Sequence, residues 1–256
     1  MHLHFIRHAT LQLAINGQRL LIDPMLSAAQ AMDPVGNAAS TARIPLVDLP
    51  LSEAELKQVI DTTDAVLVTH THRDHWDARA IDLLPKTIRV YTQPASESAI
   101  QGNGFALVQS IGSQTTVGEI EIFRTGGHHG TGDIGQAMGD VSGFVLQSPS
   151  EPTVYIAGDT IWCAEVQEAL YQYQPDVVIV NAGAAQFLAG DPITMTADDV
   201  INVCRAVPKA QIIAVHMDTI NHCWLTRALL SDALHAANVR ERIKIPADGV
   251  HLTFNR

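Results

Sequence analysis

The chain has 256 residues, of which 46% are hydrophobic, 17% charged and 5% aromatic. This apolar fraction and length allow a well-buried core, so the composition excludes disordered and collagen-like proteins. The 27 acidic residues outnumber the 16 basic ones and give a formal net charge of −11. That balance argues against a nucleic-acid-binding protein with a broad cationic face, because phosphate binding requires clustered Lys and Arg.

The cysteines and the apolar runs indicate the compartment. Three cysteines are an odd number, and the sequence contains no CxxC pair, so a disulfide framework is not expected. The N-terminal residues lack the apolar core of a signal peptide, and no apolar run approaches the ~20 residues of a membrane helix. We therefore expect a cytoplasmic protein without a membrane or nucleic-acid partner. A homo-oligomer is compatible with the sequence but is not indicated by it.

The first predicted elements are a hairpin, a long loop and a helix. Residues 2–24 alternate short apolar stretches around Asn16-Gly17, a dipeptide that favours a two-residue hairpin turn. Residues 25–50 are rich in Ala, Pro, Ser and Asn and predict an irregular loop, and loops of this length are often functional. Ser52 and Glu55 have the spacing of a capping box and predict the start of a helix.

Two β-branched runs, Asp64–Val68 and Asp176–Val180, predict buried strands of similar sequence, one in each half of the chain. Their similarity suggests an internal duplication. Residues 105–125 predict a β-meander, and no regular element is predicted for the glycine-rich residues 126–143. The other predicted elements are helices at 78–84, 94–102, 162–173, 196–207 and 225–237, and strands at 88–91, 143–147, 153–157, 211–215 and 243–254.

The arrangement of these elements indicates the fold class. No Pro-, Ser- or Gly-rich linker divides the sequence, so we expect a single domain over residues 1–256. Both halves mix strand-rich segments with strand–helix units, which favours an α/β (α+β) fold with two β-sheets flanked by helices.

Twelve histidines are unusually many for this length, and several of them are clustered. Three lie in the segment His70-Thr71-His72-Arg73-Asp74-His75, which follows a predicted strand directly. Two imidazoles two residues apart can bind one metal ion, and Asp74 with His75 can face a second ion beside it. Imidazole and carboxylate ligands suit Zn, Mn or Fe, so the segment predicts a metal site.

This segment, with Thr69 before it, resembles the signature loop of the metallo-β-lactamase superfamily of metallohydrolases. The strands leading to Leu21-Ile22-Asp23-Pro24 are also similar to that family, and the resemblance covers residues 2 to about 220. Three later features follow in the family's order: the His128-His129 pair, Asp159 in a Gly-Asp-Thr turn, and His216 at a predicted strand end. The resemblance implies a four-layer αββα sandwich with the metal ions in a groove at the sheet edges.

The resemblance also implies a set of ligands for one or two divalent ions, with Zn or Mn expected and Fe as an alternative. The first ion would be held by His70, His72 and one of His128 and His129, the second by Asp74, His75 and His216, and Asp159 would bridge them. His129 is favoured as the third ligand, because a small residue, Gly130, follows it as in the family. His128 would then lie beside the ligands or face the substrate.

Other residues near the motifs have two interpretations each. Asp23 resembles an aspartate that supports the metal loop, and it could instead cap a turn. His222 could reach the groove from beyond the last ligand, or cap a helix. His2, His4 and His8 are best explained by alternation in a strand, so no chemistry is expected of them.

The implied activity is hydrolysis of an ester, lactone or phosphodiester of a small molecule by a metal-activated water, with Asp74 orienting the nucleophile and accepting its proton. The chain is most similar to the lactonase-type branch typified by L-ascorbate-6-phosphate lactonase. It departs from that branch at Met217-Asp218 and in having no evident phosphate-binding cluster of Arg and Lys. A mononuclear iron oxygenase of the same fold is the alternative function.

Overall fold

The computed structural model describes residues 1–255. In chain order its strands are β1 His2–Arg7, β2 Thr10–Ile15, β3 Gln18–Ile22, β4 Ala65–Val68, β5 Arg89–Thr92, β6 Leu107–Ser110, β7 Gln114–Val117, β8 Ile120–Thr125, β9 Gly143–Gln147, β10 Val154–Ile156, β11 Val177–Asn181, β12 Gln211–Val215, β13 Ile243–Lys244 and β14 His251–Thr253. Its α-helices are α1 Glu53–Asp61, α2 Ala78–Leu83, α3 Glu97–Gly102, α4 Gly132–Met138, α5 Ala164–Tyr173, α6 Ala197–Ala206 and α7 Arg227–Ala236.

The strands form two seven-stranded sheets that pack face to face with helices on both outer surfaces. Alternate side chains of both sheets, such as Phe5 and Phe144, fill the central layer of the core. The opposite side chains of the first sheet pack on α1, α2 and α3, and those of the second sheet pack on α5, α6 and α7. Since the two sheets bury their facing surfaces against each other and helices cover their outer surfaces, this is the predicted four-layer αββα sandwich.

The two sheets repeat one pairing pattern. Their strand orders are β14-β1-β2-β3-β4-β5-β6 and β7-β8-β9-β10-β11-β12-β13. In each order the first three pairings are antiparallel and the last three parallel. The two similar sequence runs form β4 and β11, which are both fifth in their order. The similarity seen in the sequence therefore corresponds to equivalent positions in two related halves.

The local turn and capping signals are confirmed. Asn16 and Gly17 join β2 to β3 with φ of 44° and 75°, the left-handed backbone that a two-residue hairpin turn requires. The Ser52 side chain accepts a hydrogen bond from the backbone of Glu55, and the reciprocal bond of the capping box is also present. Both signals act within four residues, so they are independent of the rest of the fold.

Two predictions for the middle of the chain were wrong. Residues 105–125 do not form one meander, because β6 pairs in parallel with β5 in the first sheet while β7 and β8 begin the second. The chain crosses from the first sheet to the second at residues 111–113. The strands on either side, β6 and β7, are short and polar, and their sequences do not indicate to which sheet each belongs. The glycine-rich residues 126–143 contain the helix α4. None of the residues of that helix is buried, so its sequence lacks the apolar periodicity that would predict a helix.

Arg7, at the end of β1, connects the long loop to the first sheet. Its side chain is fully buried, and its guanidinium donates to the carbonyl oxygens of Met25, Ser27 and Val47 at 3.1, 2.7 and 2.9 Å. A planar guanidinium can satisfy several carbonyls at once, which a lysine ammonium cannot do in this geometry. Arg7 therefore fixes both ends of the irregular loop at 25–50.

Two further features concern membrane-spanning helices and disulfide bonds. No helix among residues 1–255 is long and apolar enough to cross a membrane. Cys163, Cys204 and Cys223 are free thiols.

Replacing Arg7 with alanine should lower the free energy of unfolding by about 3 kcal/mol or more, because three buried carbonyl groups lose their donor. Urea denaturation followed by circular dichroism measures this change. Arg43→Ala is the matched control: Arg43 also donates to carbonyls of the same loop, but it is exposed and pairs with Asp33 at the surface. We expect its effect to stay below about 1 kcal/mol. Equal effects of the two substitutions would contradict the role given to Arg7.

Candidate metal centre

The histidine-rich loop is held in place by the buried carboxylate of Asp23, which follows β3. Its Oδ1 accepts the backbone N–H of Thr69 at 2.7 Å, and its Oδ2 accepts the hydroxyl of Thr69 at 2.7 Å. The same Oδ2 accepts Nδ1–H of His75 at 2.9 Å. Asp23 thus connects the end of β3 to both ends of the loop that follows β4.

The same network determines which nitrogen of His70 carries hydrogen. Because the Thr69 hydroxyl donates to Asp23, it accepts from Nδ1–H of His70, 3.0 Å away. His129 also uses Nδ1, which donates to the carbonyl oxygen of Ile193 at 2.7 Å. Nε2 of both neutral rings therefore carries a lone pair that faces the interior of the site.

His216 follows β12 and is held by close backbone contacts. Its φ is 69°, its N–H donates to the carbonyl of His8 at 2.9 Å, and its Nδ1 lies 3.8 Å from Sγ of Cys223. A Cβ at Gly183 would lie only 2.4 Å from the carbonyl oxygen of His216 and 2.8 Å from Sγ of Cys223. The absent side chain of Gly183 is thus what lets the ends of β11 and β12 approach here.

One group of donors, the first cluster, consists of His70, His72, His129 and Asp159. Nδ1 of His72 lies 3.0 Å from Nε2 of His70 and 3.3 Å from Nε2 of His129. Oδ2 of Asp159 lies 3.9 and 3.6 Å from the same two Nε2 atoms. Donors around a tetrahedral Zn²⁺ are about 3.3 Å apart, given Zn–N distances of about 2.0–2.1 Å. The first cluster therefore has the donor types and spacing of a metal site.

The second cluster consists of Asp74, His75, His216 and the same Asp159. The Nε2 atoms of His75 and His216 are 3.3 Å apart, and Oδ2 of Asp74 lies 3.8 and 3.6 Å from them. Oδ2 of Asp159 is 3.2 Å from Nε2 of His75, and its Oδ1 is 3.3 Å from Nε2 of His216. The carboxylate of Asp159 thus faces both clusters, and Asn181 orients it by donating to Oδ1 at 2.6 Å.

The structure therefore brings together the seven residues expected as ligands: His70, His72, Asp74, His75, His129, Asp159 and His216. His128 lies outside both clusters, with a half-exposed side chain whose Nε2 is 3.0 Å from Oε1 of Glu165. His222 is 7% exposed and belongs to neither cluster.

His8 is a site residue that the sequence interpretation missed. Alternation in a strand does not explain it, because β1 ends at Arg7 and His8 lies in the following turn with φ of 61°. The ring is fully buried, packs against His216 at a tilt of 38° with centroids 3.6 Å apart, and places Nε2 3.2 Å from Oδ2 of Asp74. Its position directly after a strand was the available signal, since His70 and His216 occupy similar positions.

Charges divide the site into two environments. Burial lowers the pKa of His75, but Asp159, Asp74 and Asp23 outweigh it and raise that pKa to about 10. The carboxylates likewise outweigh burial at His216, whose pKa lies well above its ordinary value. Burial dominates at His70 and His129 and lowers the pKa of both. The second cluster therefore retains protons until a cation replaces them, whereas His70 and His129 of the first cluster are neutral.

An apolar cavity of about 420 Å³ lies between α4 and the loops that carry Asn37 and Phe187. Its lining includes Ile134, Met138 and Phe187, and the Phe187 ring is 5.8 Å from that of His222. Burial lowers the pKa of His222 to about 4 and outweighs the carboxylates of Asp74 and Asp159, which raise it, so its ring is neutral. A neutral, buried histidine thus lies beside the Phe187 wall of this cavity.

Comparisons with known proteins agree with this geometry. Residues 18–217 match the family described as the beta-lactamase superfamily domain. UPF0173 protein YddR of Bacillus subtilis (strain 168) is 35% identical over 99% of this chain and 100% of its own length. The crystal structure of an isothiocyanate hydrolase from Delia radicum gut bacteria is 35% identical, covers 100% of both chains and has a TM-score of 0.94. A possible metal-dependent hydrolase from Veillonella parvula DSM 2008 is also 35% identical, over 99% of both chains, with a TM-score of 0.95.

The family match covers more than half of the chain, and the relatives are similar over its whole length. Together with the αββα sandwich and the two clusters of donors, they identify the chain as a member of the metallo-β-lactamase superfamily of metal-dependent hydrolases.

Proposed function

We propose that this chain binds two divalent ions, one in each cluster, and hydrolyses a small neutral electrophile between them and the apolar cavity. One observation carries the proposal: Nε2 of His70 and Nε2 of His129, whose Nδ1–H groups donate outward, lie 3.0 and 3.3 Å from Nδ1 of His72. These outward hydrogen bonds leave the Nε2 lone pairs of His70 and His129 facing the interior of the site, beside His72 and the carboxylate of Asp159, so the donor set fits a metal ion.

The residues have separate proposed roles. His70, His72 and His129 would hold the first ion, and Asp74, His75 and His216 the second, with Asp159 facing both. Zn²⁺ or Mn²⁺ bound in this way supplies a nucleophilic water at neutral pH and stabilises developing negative charge. Asp74 would orient that water from its place in the second cluster. Asp23 keeps the loop in register through Thr69 and His75.

The apolar cavity on the Phe187 side of His222 supports a neutral substrate with a hydrocarbon substituent. The cavity at Ile134, Met138 and Phe187 contains no charged side chain among its lining residues. His222 is 7% exposed, its ring lies 5.8 Å from that of Phe187, and its Nδ1 has no hydrogen-bond partner among residues 1–255. Esters and lactones with an apolar substituent meet these requirements, whereas a phosphodiester is favoured less because it is anionic.

Isothiocyanates meet the same requirements, and one similar structure is that of an isothiocyanate hydrolase. Their central carbon is electrophilic and their substituent is apolar. Water adding to that carbon gives a thiocarbamic acid, which then releases the amine and carbonyl sulfide. We therefore propose isothiocyanates as the first substrate class to test, with esters and lactones next.

Protein purified without chelator should contain close to two equivalents of Zn or Mn, and should convert benzyl isothiocyanate to benzylamine. Plasma mass spectrometry measures the metal and a fluorogenic amine reagent measures the product. Phenyl acetate, a γ-lactone and bis(p-nitrophenyl) phosphate are assayed in parallel to rank the substrate classes. Iron in place of Zn or Mn, with oxygen consumed and none of these compounds hydrolysed, would overturn the proposal in favour of the oxygenase.

His129→Ala should reduce metal affinity at the first cluster by at least about tenfold, because it removes a donor 3.3 Å from His72. His128→Ala is the matched control, since its Nε2 contacts Glu165 near the surface. We expect that substitution to leave both ions bound. Competition with a chromophoric chelator measures each affinity, and the reverse order of effects would exchange the roles of the two histidines.

Metal affinity should keep rising with pH above the range in which ordinary histidines titrate. His75 has its pKa raised to about 10 from 6.5, so an ion must displace its proton throughout that interval. The stability that this proton gives the metal-free fold is complete below pH 6.5 and is lost as the pH rises through about 10. Chelator competition at several pH values should show about tenfold tighter binding per pH unit for each proton displaced. Affinity that is constant above pH 7.5 would contradict this assignment.

A further inference from the structure

His8 differs from the other histidines of the site in its outer ring nitrogen. Nδ1 of His70, His75 and His129 each donates to an oxygen outside the clusters, which leaves Nε2 directed inward. Nδ1 of His8 is buried and has no hydrogen-bond partner among residues 1–255. His8 is therefore built differently from a metal ligand, although its Nε2 lies among the donors of the second cluster.

The unpaired nitrogen distinguishes the two neutral forms of the His8 ring. A neutral imidazole has one N–H and one lone pair. If Nε2 presented its lone pair to an ion, the hydrogen would be on Nδ1, where it would be a buried donor without an acceptor, which is rare and costly. If the hydrogen is on Nε2, it donates to Oδ2 of Asp74 at 3.2 Å. In that tautomer the only unpaired group is the lone pair of Nδ1, which is an acceptor and not a buried N–H donor.

We infer that His8 is a positioning residue that donates from Nε2 to Oδ2 of Asp74 and holds this carboxylate toward His75 and His216. The inference rests on the proposed function, in which Asp74 is a ligand of the second ion. Two contacts support it: the carbonyl of His8 accepts the N–H of His216 at 2.9 Å, and the two rings pack together with centroids 3.6 Å apart. The turn after β1 thereby fixes two members of the second cluster at once.

Two substitutions separate a hydrogen-bond donor from a metal ligand. His8→Gln places an amide N–H at a similar reach but supplies no imidazole nitrogen, whereas His8→Leu removes the donor. Gln and Leu would both occupy the left-handed backbone of position 8, where φ is 61°. The backbone strain is therefore common to the two variants and does not contribute to the difference in their Co²⁺ affinities. The affinity for the second Co²⁺ is measured by chelator competition, with the visible absorption of Co²⁺ as a record of its ligands.

We expect His8→Gln to bind the second Co²⁺ nearly as tightly as the natural chain and with the same spectrum, and His8→Leu to bind it about 10–100-fold more weakly. Equal loss in the two variants would show that His8 acts as a ligand or only as packing, and either result overturns the inference. Unchanged binding in His8→Leu overturns it as well. A natural chain that binds no Co²⁺ would end both proposals, whereas the expected pattern without hydrolysis of any substrate would end only the proposed activity.

A second measurement needs no destabilising variant. In the zinc-loaded protein labelled with ¹⁵N-histidine, two-bond proton–nitrogen correlations report which ring nitrogen is protonated, and the His8→Gln spectrum assigns the His8 signals. We expect His8 to carry its hydrogen on Nε2. Hydrogen on Nδ1, with a metal-shifted Nε2, would overturn the inference.

Discussion

The buried carboxylate of Asp23 is the contact on which the rest of the site depends. It accepts two hydrogen bonds from Thr69 and one from His75, so both ends of the histidine loop are fixed to the strand beside β4. Because the Thr69 hydroxyl passes this constraint to His70, one aspartate also determines the hydrogen positions of two imidazoles. A loop after a buried strand would otherwise be free to direct its lone pairs elsewhere, and the spacing of the first cluster would be lost.

The two clusters share Asp159 but differ in charge, and this difference has a physical cause. The second contains Asp74 as well, and Asp23 lies on its outer side against His75, so its imidazoles are surrounded by carboxylates. The first has three imidazoles and only one carboxylate, so burial dominates there. A cation entering the second cluster replaces protons, whereas one entering the first meets the neutral rings of His70 and His129 and displaces no proton from them. Equal donor spacing thus does not imply equal affinity in the two clusters.

How much of this could be predicted from the sequence depended on how local each signal was. The turn at Asn16-Gly17, the capping box at Ser52 and the loop from His70 to His75 are each encoded within a few residues, and they were predicted correctly as turn, helix start and clustered donors. The placement of β6 in the first sheet and the burial of His8 against His216 depend on contacts between distant segments. A single histidine after a strand resembles many surface histidines, so only the fold could reveal its neighbours.

The repeated order of the two sheets has a consequence for how the two halves of the chain are connected. The donors from residues 70–75 follow β4 of the first half, while Asp159 and His216 follow β10 and β12 of the second. His75 and His216, which face each other, are 141 residues apart in sequence. An ion shared by such groups closes a loop of that length in the chain, so it restricts the unfolded ensemble much as a disulfide does. In a protein whose three cysteines are all free, the catalytic centre would then also be the cross-link between its halves.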